Sequence, residues 1–299
     1  MNVGILRKKT NKAAALCCAL AILAAGLAAR ADDVSDSARD LFKKNQHCVV
    51  TVQVVLKLTT PRGSQERRNE LTGTVVDPSG LTVLALSSVD PTELTQRILP
   101  DEMSASQVET EVSDLKILQE DGTEIPAEIV LRDKDLDLAY VRPKAKLAAP
   151  MEAADLTKTA TVQPLEQVLT INRLNRAAGR SYAASLERIT AVLTKPRTFY
   201  IPDSSMTATG LGSPVFSLKG GMVGILVMRA ISAKGASHPS ASEFYTAVIL
   251  PAEDILKGAK QAPEAKGDAE KPEAGKDSQG SSANAADAVR SETNAPGVK

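Results

Sequence analysis

Thr209-Gly210-Leu211-Gly212-Ser213-Pro214-Val215-Phe216 lies between two β-rich segments and reads as a tight turn running into a strand. Thr198-Phe199-Tyr200-Ile201 precedes it as a strand candidate. Pro214-Val215-Phe216-Ser217 and Gly221 to Met228 come after it as a hairpin around Leu218-Lys219-Gly220. Phe244 to Leu250 is a last strand, and Ala252 to about Lys260 a closing helix behind Pro251. On the N-terminal side, Val168 to Ile171 and Ala183 to Leu193 are further strand candidates.

The first half has the same style. Val49 to Leu56 is long and β-branched, Pro61 to Ser64 is a turn, and Leu71 to Val76 is a second strand. Asp77-Pro78-Ser79-Gly80 is a turn with proline at its second position and glycine last. Leu81 to Leu86 is a third strand. Leu115 to Leu118, Ile125 to Leu131 and Leu138 to Val141 complete the set, with Asp121-Gly122 as a hairpin turn. Regular strand–turn–strand spacing points to an all-β barrel or sandwich. Two segments break it. Asp90 to Asp114 is polar and acidic, with Pro91 and Pro100, and reads as an insertion. Pro143 to Thr159 is a polar, alanine-rich link between two β-subdomains.

The chain has 299 residues, no net formal charge, 3% aromatic residues and no tryptophan. Its core is therefore aliphatic, and no basic stripe interleaved with aromatics speaks for nucleic acid. Arg7, Lys8, Lys9 and Lys12 precede an apolar run from Ala13 to about Ala28, and Ala29-Arg30-Ala31 supplies a small-x-small cleavage site. This predicts a signal peptide over residues 1–31, an exported protein (periplasmic or secreted) and no stable membrane anchor after cleavage. The run is short for a membrane span, which takes about 20 apolar residues. Cys17 and Cys18 lie inside it, leaving Cys48 without an internal disulfide partner. Cys48 sits in a strand-like run and is expected to be a buried, inert thiol. Residues 32–46 read as an N-terminal helix, with Val34, Ala38, Leu41 and Phe42 on one face. From residue 259 to 299 large apolar residues vanish, and the segment reads as a disordered low-complexity tail.

Three stretches, in the right order, resemble the trypsin-like serine protease family in its bacterial Deg/HtrA-type form. Gly73 to Val89 is similar to the segment that carries the family's catalytic histidine. Asp121 to Val130, together with Asp135-Leu136-Asp137-Leu138-Ala139-Tyr140-Val141, is similar to the segment that carries its aspartate. Thr209 to Phe216, with Gly221 to Ile225 and Tyr245 to Pro251, is similar to the nucleophile loop and the strands beyond it. The resemblance implies two six-stranded antiparallel barrels, over residues 47–145 and 146–258, with a cleft between them. It also implies a serine nucleophile, a histidine base, an orienting carboxylate and backbone donors for the oxyanion.

Carried over by position, the carboxylate is Asp137, the histidine position falls on Ser87, and the nucleophile position falls on Leu211. Leucine has no lone pair to attack with, and serine does not serve as a general base near neutral pH. Oxyanion-loop positions fall on Thr209, Gly210, Gly212 and Ser213, with Thr209 and Ser213 standing where the family has glycine. Sliding the loop to make Ser213 the nucleophile loses the Gly-Gly-Pro register. His47 precedes the first strand and His238 lies in a polar loop, so neither supplies a base. No cofactor is expected, and two separated histidines with one cysteine form no metal cluster.

Three functions stand as expectations. The first is an exported, non-catalytic homologue that binds a peptide or another protein, or regulates an active relative. The second is an active endopeptidase with an atypical site. The third is a structural, envelope-associated protein. The residues at the site favour the first and third over the second. The segment after residue 258 does not resemble the peptide-binding module common in Deg/HtrA-type proteins, so trimerisation and chaperone activity are not carried over.

Overall fold

The structure is a computed structural model and describes residues 33–60, 63–92, 109–203, 210–230 and 245–264. All of these belong to one unit, Met1–Gly267. The expected signal peptide, His238, Thr209 and the tail beyond residue 264 lie outside the described residues.

Among the described residues, twelve strands form two closed antiparallel barrels, as the resemblance implied. The first contains β1 (Val49–Thr60), β2 (Gly63–Asp77), β3 (Leu81–Ala85), β4 (Glu109–Leu118), β5 (Glu124–Asp133) and β6 (Leu138–Pro143), in the order β1-β2-β3-β6-β5-β4. The second contains β7 (Gln167–Arg173), β8 (Tyr182–Leu193), β9 (Phe199–Pro202), β10 (Pro214–Ser217), β11 (Met222–Ala230) and β12 (Tyr245–Pro251), in the order β10-β11-β12-β9-β8-β7.

Side chains alternate across each strand, and here both faces of several strands are buried. This is why those strands are nearly continuous apolar runs. Val50, Val52, Val54, Leu84, Ile117, Ala139 and Val141 form a core drawn only from the first barrel and its flanks. Val168, Ile189, Val215, Leu226 and Ile249 do the same for the second. The intervening residues Val49, Val83, Leu138 and Tyr140 join Leu169, Ile171, Phe216, Ile225 and Leu250 in a third cluster between the barrels. The helix α1 (residues 33–45) adds Ala38, Leu41 and Phe42 to this cluster.

A closing helix also covers it. Beyond the short helix α2 (Leu86–Val89), α3 (Ala252–Gln261) buries Ala252 and Ile255 and packs Leu256 and Ala259 against the same cluster. Tyr140 Oη donates to the carbonyl of Ile255 over 2.9 Å. A Cβ on Gly258 would sit 2.1 Å from that phenol oxygen, so the close approach requires glycine there.

Four boundaries differ from the sequence reading. Gly63 and Ser64 belong to β2 rather than to a turn, because β1 runs on to Thr60 and pairs with them. Leu86 opens α2 instead of ending a strand. Residues 109–114, read as part of a polar insertion, are strand and pair with Val55–Thr59 of β1. Val112 packs on the first core while Glu111 is exposed, a period-two alternation masked by the acidic composition. The closing helix, read to about Lys260, runs to Gln261, and Ala259 and Ala262 pack on the inter-barrel core, so the tail does not begin at residue 259.

Candidate functional site

The structure brings Ser87 and Asp137 together. Asp137 lies in the turn before β6 and adopts φ 57°, a left-handed conformation that aspartate tolerates better than most side chains. Its main-chain carbonyl accepts from Leu86 N at 2.9 Å. Its carboxylate accepts from Ser87 N at 2.6 Å, from Ser87 Oγ at 3.0 Å and from Met228 N at 2.7 Å.

The reason lies in α2. The first N–H groups of a helix have no partner within it. Ala85, at the N-cap position, offers no side-chain acceptor. Asp137 supplies acceptors for two of these groups, Leu86 N and Ser87 N, from a distant stretch of chain, and its negative charge also suits a helix N-terminus. Met228 belongs to β11, so the same carboxylate ties the first barrel to the second. A hydrogen bond to a charged group contributes about 1.5–3 kcal/mol. Ser87 Oγ donates its proton to this carboxylate.

The turn Gly210–Ser213 is built from backbone constraints. Gly212 has φ 87°, and a Cβ there would lie 2.3 Å from the carbonyl oxygen of Thr72. Gly212 N donates to Leu226 O at 2.8 Å, and Leu226 N donates to Ser213 O at 3.0 Å. Thr74 Oγ1 donates to Gly212 O at 2.7 Å. The turn is thus held by β2 on one side and β11 on the other. Leu211 is 4% exposed and packs inside. Ser213, the alternative nucleophile, is fully buried, and its Oγ has no hydrogen-bond partner. Among the described non-glycine residues, positive φ is confined to Asp137, Leu165 and Arg180, so Ser213 does not need the conformation a glycine would have allowed.

The remaining candidates lie elsewhere. His47 Nδ1 faces Glu120 Oε2 at 3.1 Å, and its ring meets Tyr182 edge-on. These three line a cleft of about 280 Å³ together with Arg173 and Met151. Cys48 is buried and its Sγ donates to Asn45 O; burial pushes the thiol up to about 12, so it carries no thiolate at neutral pH. Among the described residues no group of three His, Cys, Asp or Glu side chains is placed to hold a metal ion, and no helix is long and apolar enough to cross a membrane. Met228 N was invisible to sequence reasoning, because a main-chain donor leaves no mark on residue identity. Thr74, by contrast, lies within the stretch Gly73 to Val89 that carries the resemblance.

The sequence profile of the trypsin-like peptidase domain matches residues 45–225. Among solved structures, the chain is similar to the protease domain of MamO from Magnetospirillum magneticum in its apo form. The two are 16% identical, the match covers 72% of this chain and 96% of that one, and the TM-score is 0.45. No curated protein matches the sequence.

Proposed function

Since the chain belongs to the trypsin-like peptidase domain family, we propose that it is an exported member that does not cleave peptide bonds and instead binds an extended peptide or another protein. The observation that carries this reading is the pairing of Ser87 with Asp137. The carboxylate that would orient a histidine is engaged by a hydroxyl and two backbone N–H groups. No base at that position takes a proton from a nucleophile, and the residue at the nucleophile position is a buried leucine. Ser213 offers no substitute, since its Oγ is out of solvent and touches no base. Export is supported by the basic n-region, apolar run and small-x-small site within residues 1–31.

The test uses the mature chain from Asp32 with unfolded casein and a fluorophosphonate probe. Casein is expected to associate with the protein and remain uncut, and the probe is expected to leave the protein unlabelled. Labelling abolished by Ser213→Ala would overturn the non-catalytic reading. Failure to associate with casein or any other extended polypeptide would overturn the binding half.

A further inference from the structure

Where β1 and β2 of the first barrel meet β7 of the second, the protein leaves a narrow cavity of about 10 Å³. Thr51, Glu70 and Arg173 line it. Each presents a buried polar atom with no hydrogen-bond partner in the protein: Thr51 Oγ1, Glu70 Oε2 and Arg173 Nε. Thr51 is 2% exposed and Arg173 8% exposed. The remaining contacts hold these groups in place. Glu70 Oε1 accepts from Arg180 Nε at 3.1 Å, and the Arg173 guanidinium lies 4.2 Å from the centre of the Tyr182 ring.

Buried polar groups are rarely left unpaired, and three of them around one cavity define what fits. Arg173 Nε only donates, Glu70 Oε2 only accepts, and a threonine hydroxyl does either. A cation would be repelled by Arg173 and an anion by Glu70. The occupant must therefore be neutral and able both to donate and to accept. The volume is that of one water, which needs roughly 10–15 Å³ and typically makes about three hydrogen bonds.

We propose that a single water is a fixed component of this seam. It accepts from Arg173 Nε and donates to Glu70 Oε2 and Thr51 Oγ1. Through it Glu70 and Arg173 become a water-mediated ion pair between the barrels. The chain of contacts then runs from Arg180 through Glu70, the water and Arg173 to Tyr182. The water thus adds a bridge beside the direct Arg180–Glu70 pair that already joins the barrels, and both are independent of Asp137.

A crystal structure of the mature protein, at a resolution that shows ordered solvent, tests this directly. A solvent peak is expected within hydrogen-bond reach of all three atoms. A dry cavity, or Arg173 Nε bonded directly to Glu70, overturns the proposal. Two variants give a second measurement. Thr51→Ser keeps the hydroxyl and is expected to keep the water. Thr51→Val removes the hydroxyl, and its unfolding midpoint is expected to fall about 2–4 °C below that of Thr51→Ser. Equal midpoints for the two variants would count against the site.

Discussion

Asp137 and the turn Gly210–Ser213 both join the first barrel to the second, but by opposite means. At Asp137 the tie is a side chain, a carboxylate that gathers two donors from Ser87 and one from Met228. At the turn it is the main chain, with Gly212 pressed against Thr72 and its amide and carbonyl engaged by Leu226 and Thr74. The contrast separates two kinds of constraint on the seam between the barrels. Asp137 has structural work of its own, because α2 takes acceptors there. The turn Gly210–Ser213 uses no side-chain hydroxyl of its own, since Ser213 Oγ has no hydrogen-bond partner. Its backbone turns at Gly212, and Leu211 packs inside it.

The largest effect is expected where the backbone sets the geometry. Gly212→Ala combines a left-handed conformation, which costs a non-glycine residue about 1–2 kcal/mol, with a Cβ that would sit 2.3 Å from a carbonyl oxygen. Neither atom is the flexible end of a side chain. We expect a loss of more than about 3 kcal/mol in urea denaturation. A loss below about 1 kcal/mol would show that the turn yields to side chains, and the contrast with Asp137 would collapse.

Asp137→Ala comes next. It strips the acceptor from three donors, two of them main-chain groups that water must then reach. The expected loss is about 2–4 kcal/mol by the same measurement. The same substitution in a Ser87→Ala background is expected to cost less, since one of the three donors is already gone. Equal costs in both backgrounds would mean that the Ser87 hydroxyl contributes nothing to holding the carboxylate.

How much of this was legible in the sequence depends on whether the signal was a residue or a relation. The barrels were legible, because β-branched runs such as Val49 to Leu56 and turn residues such as Asp121-Gly122 act locally. The conjunction of Ser87 and Asp137 came from the resemblance of two separate stretches. The acceptor role of Asp137 toward Met228 was not legible, since it joins residues 137 and 228 through a main-chain amide. Residues 109–114 were misread for a different reason. Glu111 is exposed while the neighbouring Val112 packs on the core, and the acidic composition hides a strand that only pairing with β1 reveals. The polar atoms of Thr51, Glu70 and Arg173 were equally silent, because burial without a partner is a property of the folded state.

The smallest effect belongs to Ser213, and it bears most directly on the turn. Its Oγ is buried and makes no hydrogen bond, so replacing it by hydrogen removes no interaction and relieves an uncompensated desolvation. Ser213→Ala is therefore expected to be neutral or stabilising by up to about 1 kcal/mol in the same urea titration. A hydroxyl that served a nucleophile's geometry, or that bonded a neighbouring group in the folded protein, would behave otherwise. Destabilisation beyond about 1 kcal/mol would show that Oγ has a partner. The turn would then hold the barrels through a side chain as Asp137 does, and the distinction between the two regions would be one of degree.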